Sequence, residues 1–280
     1  MLRRWSFLYH RGMSSSGHSS KPLTYARYLK IDELLELQEP LSDGPEHDEM
    51  LFIIIHQVYE LWFKQVLHEM RWLKTALEAN DIPAALATFQ RILTILKTLV
   101  AQIDVLETMT PVAFSSFRTR LESASGFQSA QFREVEYLLG HKNLKMARHH
   151  PPDSPGGRRL KDLIHQPTLY DSWLRFLSAN GYDVPQHLLQ RDVSQPIESS
   201  AGLQTILLEI YRRDPGCTMI CERLVDLDEG MQEWRYRHVK MVERTIGAKT
   251  GTGGSEGADY LRKTLFQPLY ADLWTIRAEL

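Results

Sequence analysis

The most regular feature of the chain is a run of apolar positions between Asp48 and Ala79. One stripe reads Phe52, His56, Tyr59, Phe63, Val66, Met70, Leu73, Leu77, in alternating steps of four and three. That spacing lines the residues along one face of a helix. Glu46, Asp48 and Glu49 suit the positive N-terminal end of such a helix. A second stripe follows after a short break: Ile82, Leu86, Phe89, Leu93, Leu96, Val100, Ile103. Asp81 is placed to cap it, and Pro83 fits its first turn. Two long helices joined so briefly pack as antiparallel neighbours. A third stripe, Ile220, Leu224, Leu227, Met231, Trp234, His238, Met241, Thr245, predicts a long helix from about Cys217 to Gly247.

Shorter helices fill the middle. Thr110 and Pro111 open one that runs through Arg118 to Leu121, "SASGF" (Ser123 to Phe127) interrupts, and the next stops at Gly140. Thr168 to Ala179 ends before Gly181, and Ser199 to Arg213 ends at Asp214-Pro215. "HHPPDSPGGRR", from His149 to Arg159, reads as a loop and could link two subdomains. No strand-like alternation stands out, nor a repeat of roughly 20–50 residues. The fold class is therefore all-α, with long antiparallel core helices. Residues 21–280 read as a single domain. Residues 1–20, basic and Ser-rich with no acid before Asp32, read as a flexible or unassigned tail. That composition also suits a transit peptide, or a start at Met13.

Of the 280 residues, 43% are hydrophobic and 24% charged, as in an ordinary globular protein. The net charge of -2 provides no general field for nucleic acid or an anionic membrane. The longest clean apolar run, Met50 to Ile55, falls well short of the roughly 20 residues of a spanning helix. Cys217 and Cys221 are the only cysteines, spaced four apart, with no CxxC, CxxCH or zinc-type pattern. They fit small buried thiols in a reducing, cytoplasmic compartment.

Two histidines stand where the stripes call for core residues. Burying an imidazole costs free energy unless its nitrogens find partners. His56 and His238 are thus either hydrogen-bonded inside the core or bound to something. Paired Glu-x-x-His motifs for a di-iron bundle are absent, as is HExxH for a zinc hydrolase. His56 and Glu60 could be two ligands at i, i+4, though Glu60 reads better as a solvated or salt-bridged flank. One protein nitrogen on the metal is the haem arrangement, in which the porphyrin supplies four ligands. His47 and His68 fall off the apolar stripe, and His149 and His150 lie in the proline-rich loop, where solvation is expected.

"GAKTGTGGSEG" follows a helix rather than a strand and lacks the order of a phosphate loop. Gly251, Gly253, Gly254 and Gly257 with nearby hydroxyls suit a mobile lid over a small ligand, or a plain connector. Arg118 sits among Phe114, Phe117 and Leu121. It could clamp a carboxylate or form a structural ion pair.

With these residues assembled, the chain resembles the tryptophan 2,3-dioxygenase family from "TYARYLKIDELLELQEP" to "LYADLWTIRAEL". The most specific stretches are "HDEMLFIIIHQVYELWFKQVLHE", "SGFQSAQFREVEYLLG" and "EWRYRHVKMVERTIGAKTGTGGSEGADYLR". The resemblance implies an all-α homotetramer with one non-covalent haem b per subunit. It implies that O2 is inserted across the indole C2–C3 bond of L-tryptophan, giving N-formyl-L-kynurenine, the first step of tryptophan degradation. By the same resemblance His238 is the axial haem-iron ligand, and His56 is the catalytic residue that meets the indole N–H. Phe52 and Phe114 wall the indole. Phe114 stands where some members have Tyr, so any hydroxyl contact is lost. Arg118 holds the substrate carboxylate and Thr252 the amino-acid head group. Ser125 and Gly126 form the oxygen-side loop. Tyr25, Tyr28 and Leu29 complete a neighbouring subunit's site. Two other classes stay open on the residues alone: a haem-based sensor or binding protein without turnover, and a helical interaction protein.

Overall fold

Capping residues decide where the helices begin. The computed structural model describes residues 22–44, 46–249, 251 and 258–280, in two compact units that divide between Glu39 and Pro40. The first unit holds α1 (Tyr25–Leu29) and α2 (Ile31–Leu35). Thr24 caps α1 by accepting from the Arg27 N–H, and Tyr25 and Tyr28 are 76% and 71% exposed.

The second unit opens with α3 (His47–Glu78) and α4 (Ile82–Leu106). Asp81 accepts from the Ala84 N–H at the head of α4. Buried Glu49, in the first turn of α3, accepts from the Leu41 and Ser42 amides at 2.7 and 3.1 Å. Thr110 caps α5 (Pro111–Phe117), which continues as a single 3-10 turn from Arg118 to Leu121. Ser129 caps α6 (Ala130–Leu139), and Gly140 ends it at φ +112°, a conformation costly for any side chain. α7 (Leu144–Ala147), α8 (Pro155–Ile164), α9 (Leu169–Ala179), α10 (Gln186–Leu189) and α11 (Ala201–Arg213) follow. Asp214 then caps α12 (Pro215–Ile246) through the Cys217 N–H at 2.9 Å. α13 (Ala258–Arg262) and α14 (Ala271–Thr275) close the chain. Among the described residues there is no strand. The all-α expectation is met.

α4 packs along both α3 and α12. This double partnership shifts its deepest positions to Ala85, Phe89, Ile92, Leu96, Leu99 and Ile103, leaving Ile82, Leu86, Leu93 and Val100 half-buried. α4 is also long and apolar enough, by length and composition, to cross a membrane. The six-residue apolar run read from the sequence missed this, because isolated polar residues interrupt α4 without lowering its mean hydropathy. Its buried face lies in the core of this unit.

Two expectations are corrected in the middle of the chain. The segment from His149 to Arg159 is not a linker throughout: Ser154 accepts from the Gly157 N–H at 3.0 Å, and Pro155 starts α8. Proline at the first helical position is favoured, since no helical N–H is needed there. His150 is buried rather than solvated. Cys217 and Cys221 are free, buried thiols, as expected. Burial pushes Cys217 up to about 12 and Cys221 higher still, so both stay protonated and unreactive at neutral pH.

Candidate active site

A cavity of about 240 Å3 opens at one end of the three long helices. α3 contributes Phe52, His56, Tyr59, Glu60 and Phe63 to its wall, and α4 contributes Ile103 and Leu106. α12 contributes Trp234, Arg235, His238 and Met241. More of the wall comes from α5 with its 3-10 extension, the Ser125–Phe127 loop and α6. The periodicities of α3 and α12 explain the arrangement. Their stripes run from the core to the cavity, so the two histidines that interrupt those stripes both line it.

His56 is held by its own helix. Its Nδ1 lies 2.7 Å from the Phe52 carbonyl oxygen. A carbonyl can only accept, so the proton belongs on Nδ1 and Nε2 is left as an acceptor. Gly126 bounds that edge of the ring: a Cβ there would stand 3.9 Å from both Nε2 and Cδ2 of His56. Burial lowers the His56 pKa, against the opposing pull of the Phe52 carbonyl and the Glu60 carboxylate. The imidazole is therefore neutral at pH 7.

His238 is held by packing. Its ring stacks on Trp234 with centroids 5.0 Å apart and 16° between planes. Trp234 in turn meets Phe132 at 4.8 Å. Burial, reinforced by His56 and Arg133, lowers the His238 pKa to about 4. A neutral nitrogen base in an apolar cavity is a metal or haem-iron ligand by chemistry. Among the described residues no three His, Cys, Asp or Glu side chains converge as a metal site.

Beside His56 stands an aromatic cluster. Phe52 lies 4.1 Å from the His56 ring, 5.8 Å from Phe114 and 5.6 Å from Phe117, between centroids. Arg118, at the end of α5, brings a guanidinium to the same wall. The structure thus brings Phe52, His56, Phe114, Arg118, Ser125, Gly126 and His238 onto one cavity. Thr252 lies outside the described residues, but Gly251 before it and Leu261 and Thr264 after it line the cavity. Tyr25, Tyr28 and Leu29 belong to the first unit and are exposed there.

Several wall residues escaped the sequence reading. Glu60 is no solvated flank: it lines the cavity and accepts from Gln131 Nε2 at 2.8 Å. Arg133, Glu136 and Arg235 form a buried ion cluster, with Glu136 bound by Arg133 at 2.6 Å and by Arg235 at 3.2 Å. Three charges on otherwise buried helix faces are the signal that could have found them, since such groups survive burial only when paired.

The sequence fits the profile of the family described as Tryptophan 2,3-dioxygenase over residues 10–151 and 184–280. Over 261 residues it is 59% identical to the tryptophan 2,3-dioxygenase of Herpetosiphon aurantiacus, covering 93% of this chain and all of that one. It is 56% identical over 267 residues to that of Anaeromyxobacter dehalogenans, covering 95% and 98% of the two chains. Identity to that of Kineococcus radiotolerans is 44% over 264 residues, covering 93% and 92%. A cavity carrying two neutral histidines, an arginine and an aromatic wall, on a chain this similar over its length, belongs to the tryptophan 2,3-dioxygenase family.

Proposed function

We propose that this chain is a haem-dependent dioxygenase, inserting both atoms of O2 across the indole C2–C3 bond of L-tryptophan to give N-formyl-L-kynurenine. The observation that carries the reading is the 2.7 Å contact between His56 Nδ1 and the Phe52 carbonyl oxygen. With Nδ1 committed to the Phe52 carbonyl, Nε2 presents a lone pair to the cavity, which is what an indole N–H requires. An analogue lacking that N–H leaves the acceptor unpaired and is penalised.

The family implies a haem cofactor, and the cavity fits one. His238 is neutral and faces walls of Phe63, Phe132 and Trp234. It would hold the iron of one non-covalent haem b per subunit. Ferrous haem supplies the binding and activation of dioxygen.

The chain's own residues supply orientation. Arg118 clamps the substrate carboxylate, Thr252 meets the amino-acid head, and Phe52 and Phe114 wall the indole. Fixing both ends of the substrate can supply several kcal/mol of barrier lowering, roughly 7–11 at best. Ser125 and Gly126 bound the oxygen side, and the glycine-rich segment closes over the cavity to exclude water. We place Tyr25, Tyr28 and Leu29 in a neighbouring subunit's site within a homotetramer; their exposure in the single chain supports this. Residues 21–280 act as one catalytic domain of a cytoplasmic enzyme that engages neither membrane nor nucleic acid.

The test is one absorbance time course. Ferrous, haem-reconstituted protein in aerated buffer is given L-tryptophan while the Soret and near-ultraviolet bands are followed. Growth of the formylkynurenine band supports the proposal. A Soret band without product favours a haem sensor, and a His238→Ala variant that keeps its full haem content overturns the ligand assignment.

A further inference from the structure

Gln131, in the helix that follows the oxygen-side loop, is tied to the helix bearing His56 through two hydrogen bonds to one residue. Its Nε2 donates to the Glu60 carbonyl at 2.9 Å and to Glu60 Oε2 at 2.8 Å. Glu60 lies one helical turn beyond His56 on α3, and Gln131 lies in the first turn of α6. The loop is itself hydrogen-bonded up to the residue that caps α6: the Gln128 N–H donates to the Ser125 carbonyl at 2.9 Å, and the N–H of the capping Ser129 to the Gly126 carbonyl at 3.1 Å. Where Gln131 is pinned, Gly126 follows.

The consequence falls at the reading edge of His56. The Cα of Gly126 carries no side chain, and a methyl built there would stop 3.9 Å from His56 Nε2. The width of that gap decides what can approach the Nε2 lone pair. A ring N–H needs only hydrogen-bond distance, whereas an N-methyl group needs the loop to retreat. A side-chain amide donating to both a carboxylate and a main-chain carbonyl of the same residue resists such a retreat. One of the two bonds is charge-assisted, and bonds of that kind are the stronger ones.

We propose that Gln131 and Glu60 form a specificity-determining positioning pair, which holds the Ser125–Gly126 loop against His56 so that the cavity selects indoles with a free N–H. The inference rests on the proposed reading of His56 as the indole partner. Neither residue is a reacting group; both act through the position of Gly126.

The experiment uses the full-length, haem-loaded protein and two probes, L-tryptophan and 1-methyl-L-tryptophan. The wild type, Gln131→Met, Glu60→Leu and the double variant are compared by the ratio of kcat/KM for the two substrates. Circular dichroism and the Soret band confirm folding and loading. Gln131→Met should lower the ratio about tenfold, and the double variant should fall no further than Gln131→Met, because coupled partners do not add. An unchanged ratio in Gln131→Met, or effects that multiply in the double variant, overturns the pair while leaving the reading of His56 intact. A wild type that does not discriminate between the two probes overturns the reading of His56, and this inference with it.

Discussion

Trp234 and His238, one turn apart on α12, stack nearly parallel at 5.0 Å. The indole also meets Phe63 edge-on at 6.4 Å and Phe132 at 4.8 Å. It therefore fills the core with one face and sets the imidazole with the other. Trp234→Ala should cost about 3–5 kcal/mol of stability through the cavity left behind. It should also weaken haem binding, because the imidazole loses its support. Trp234→Phe keeps an aromatic face and should retain most of both. Denaturant unfolding and haem titration of the two variants check this; equal haem affinity in wild type and Trp234→Ala would sink the supporting role.

Acid should destabilise the haem-free protein in a defined window. The folded-state pKa of His238 lies near 4 against an ordinary 6.5. Between those values the unfolded chain takes up a proton that the folded chain refuses, so stability falls as pH drops from about 6.5 towards 4 and then levels off. His56 is lowered by burial and contributes with the same sign. Thermal unfolding at half-unit pH steps should show a shallower slope over this window in His238→Leu than in wild type. Parallel curves would show that His238 is not the group refusing the proton.

Arg118 brings a guanidinium to the cavity beside Phe114 and Leu121. Losing a charged hydrogen bond to the substrate carboxylate costs roughly 1.5–3 kcal/mol. Arg118→Ala should therefore raise KM for L-tryptophan by about ten- to a hundredfold, and Arg118→Lys should recover only part of it, since an ammonium cannot form the bidentate fork. Steady-state kinetics decide the matter, and an unchanged KM would contradict the clamp.

Gly126 is free of clash, with its nearest neighbours at 3.9 Å from an added Cβ, both on His56. Gly126→Ala should therefore fold with unaltered stability while the new methyl crowds the Nε2 edge. KM for L-tryptophan should rise several-fold with little change in melting temperature. A stable variant with wild-type kinetics would place the substrate elsewhere.

The three long helices were legible because each carries a period that only a helix satisfies, and the starts of α4 and α5 because Asp81 and Thr110 are cap residues at the right offsets; Asp214, which caps α12, was legible only as a stop for the helix before it. His56 and His238 were legible as polar interruptions of apolar stripes. Arg118 and Thr252 were not legible from pattern, since an arginine near phenylalanines and a threonine in a glycine-rich segment have ordinary uses; the family resemblance singled them out. His150 went astray because prolines around it suggested solvent, whereas Ser154 and Pro155 begin a helix and His150 is buried.

Asp228 shows the same limit inside the core. It is fully buried and accepts from the Leu269 and Tyr270 amides and from Trp274 Nε1, tying the C-terminal segment to α12 across some 40 residues of sequence. Nothing local announces such a partner. By itself the sequence determined which elements form and which faces are buried, because helical period and capping are matters of near neighbours. Only the tertiary structure decided which faces meet. Hydrophobic burial is non-directional, so the placing of His56, Gly126, Glu60 and Gln131 around one cavity depends on hydrogen bonds and packing between residues far apart in the chain.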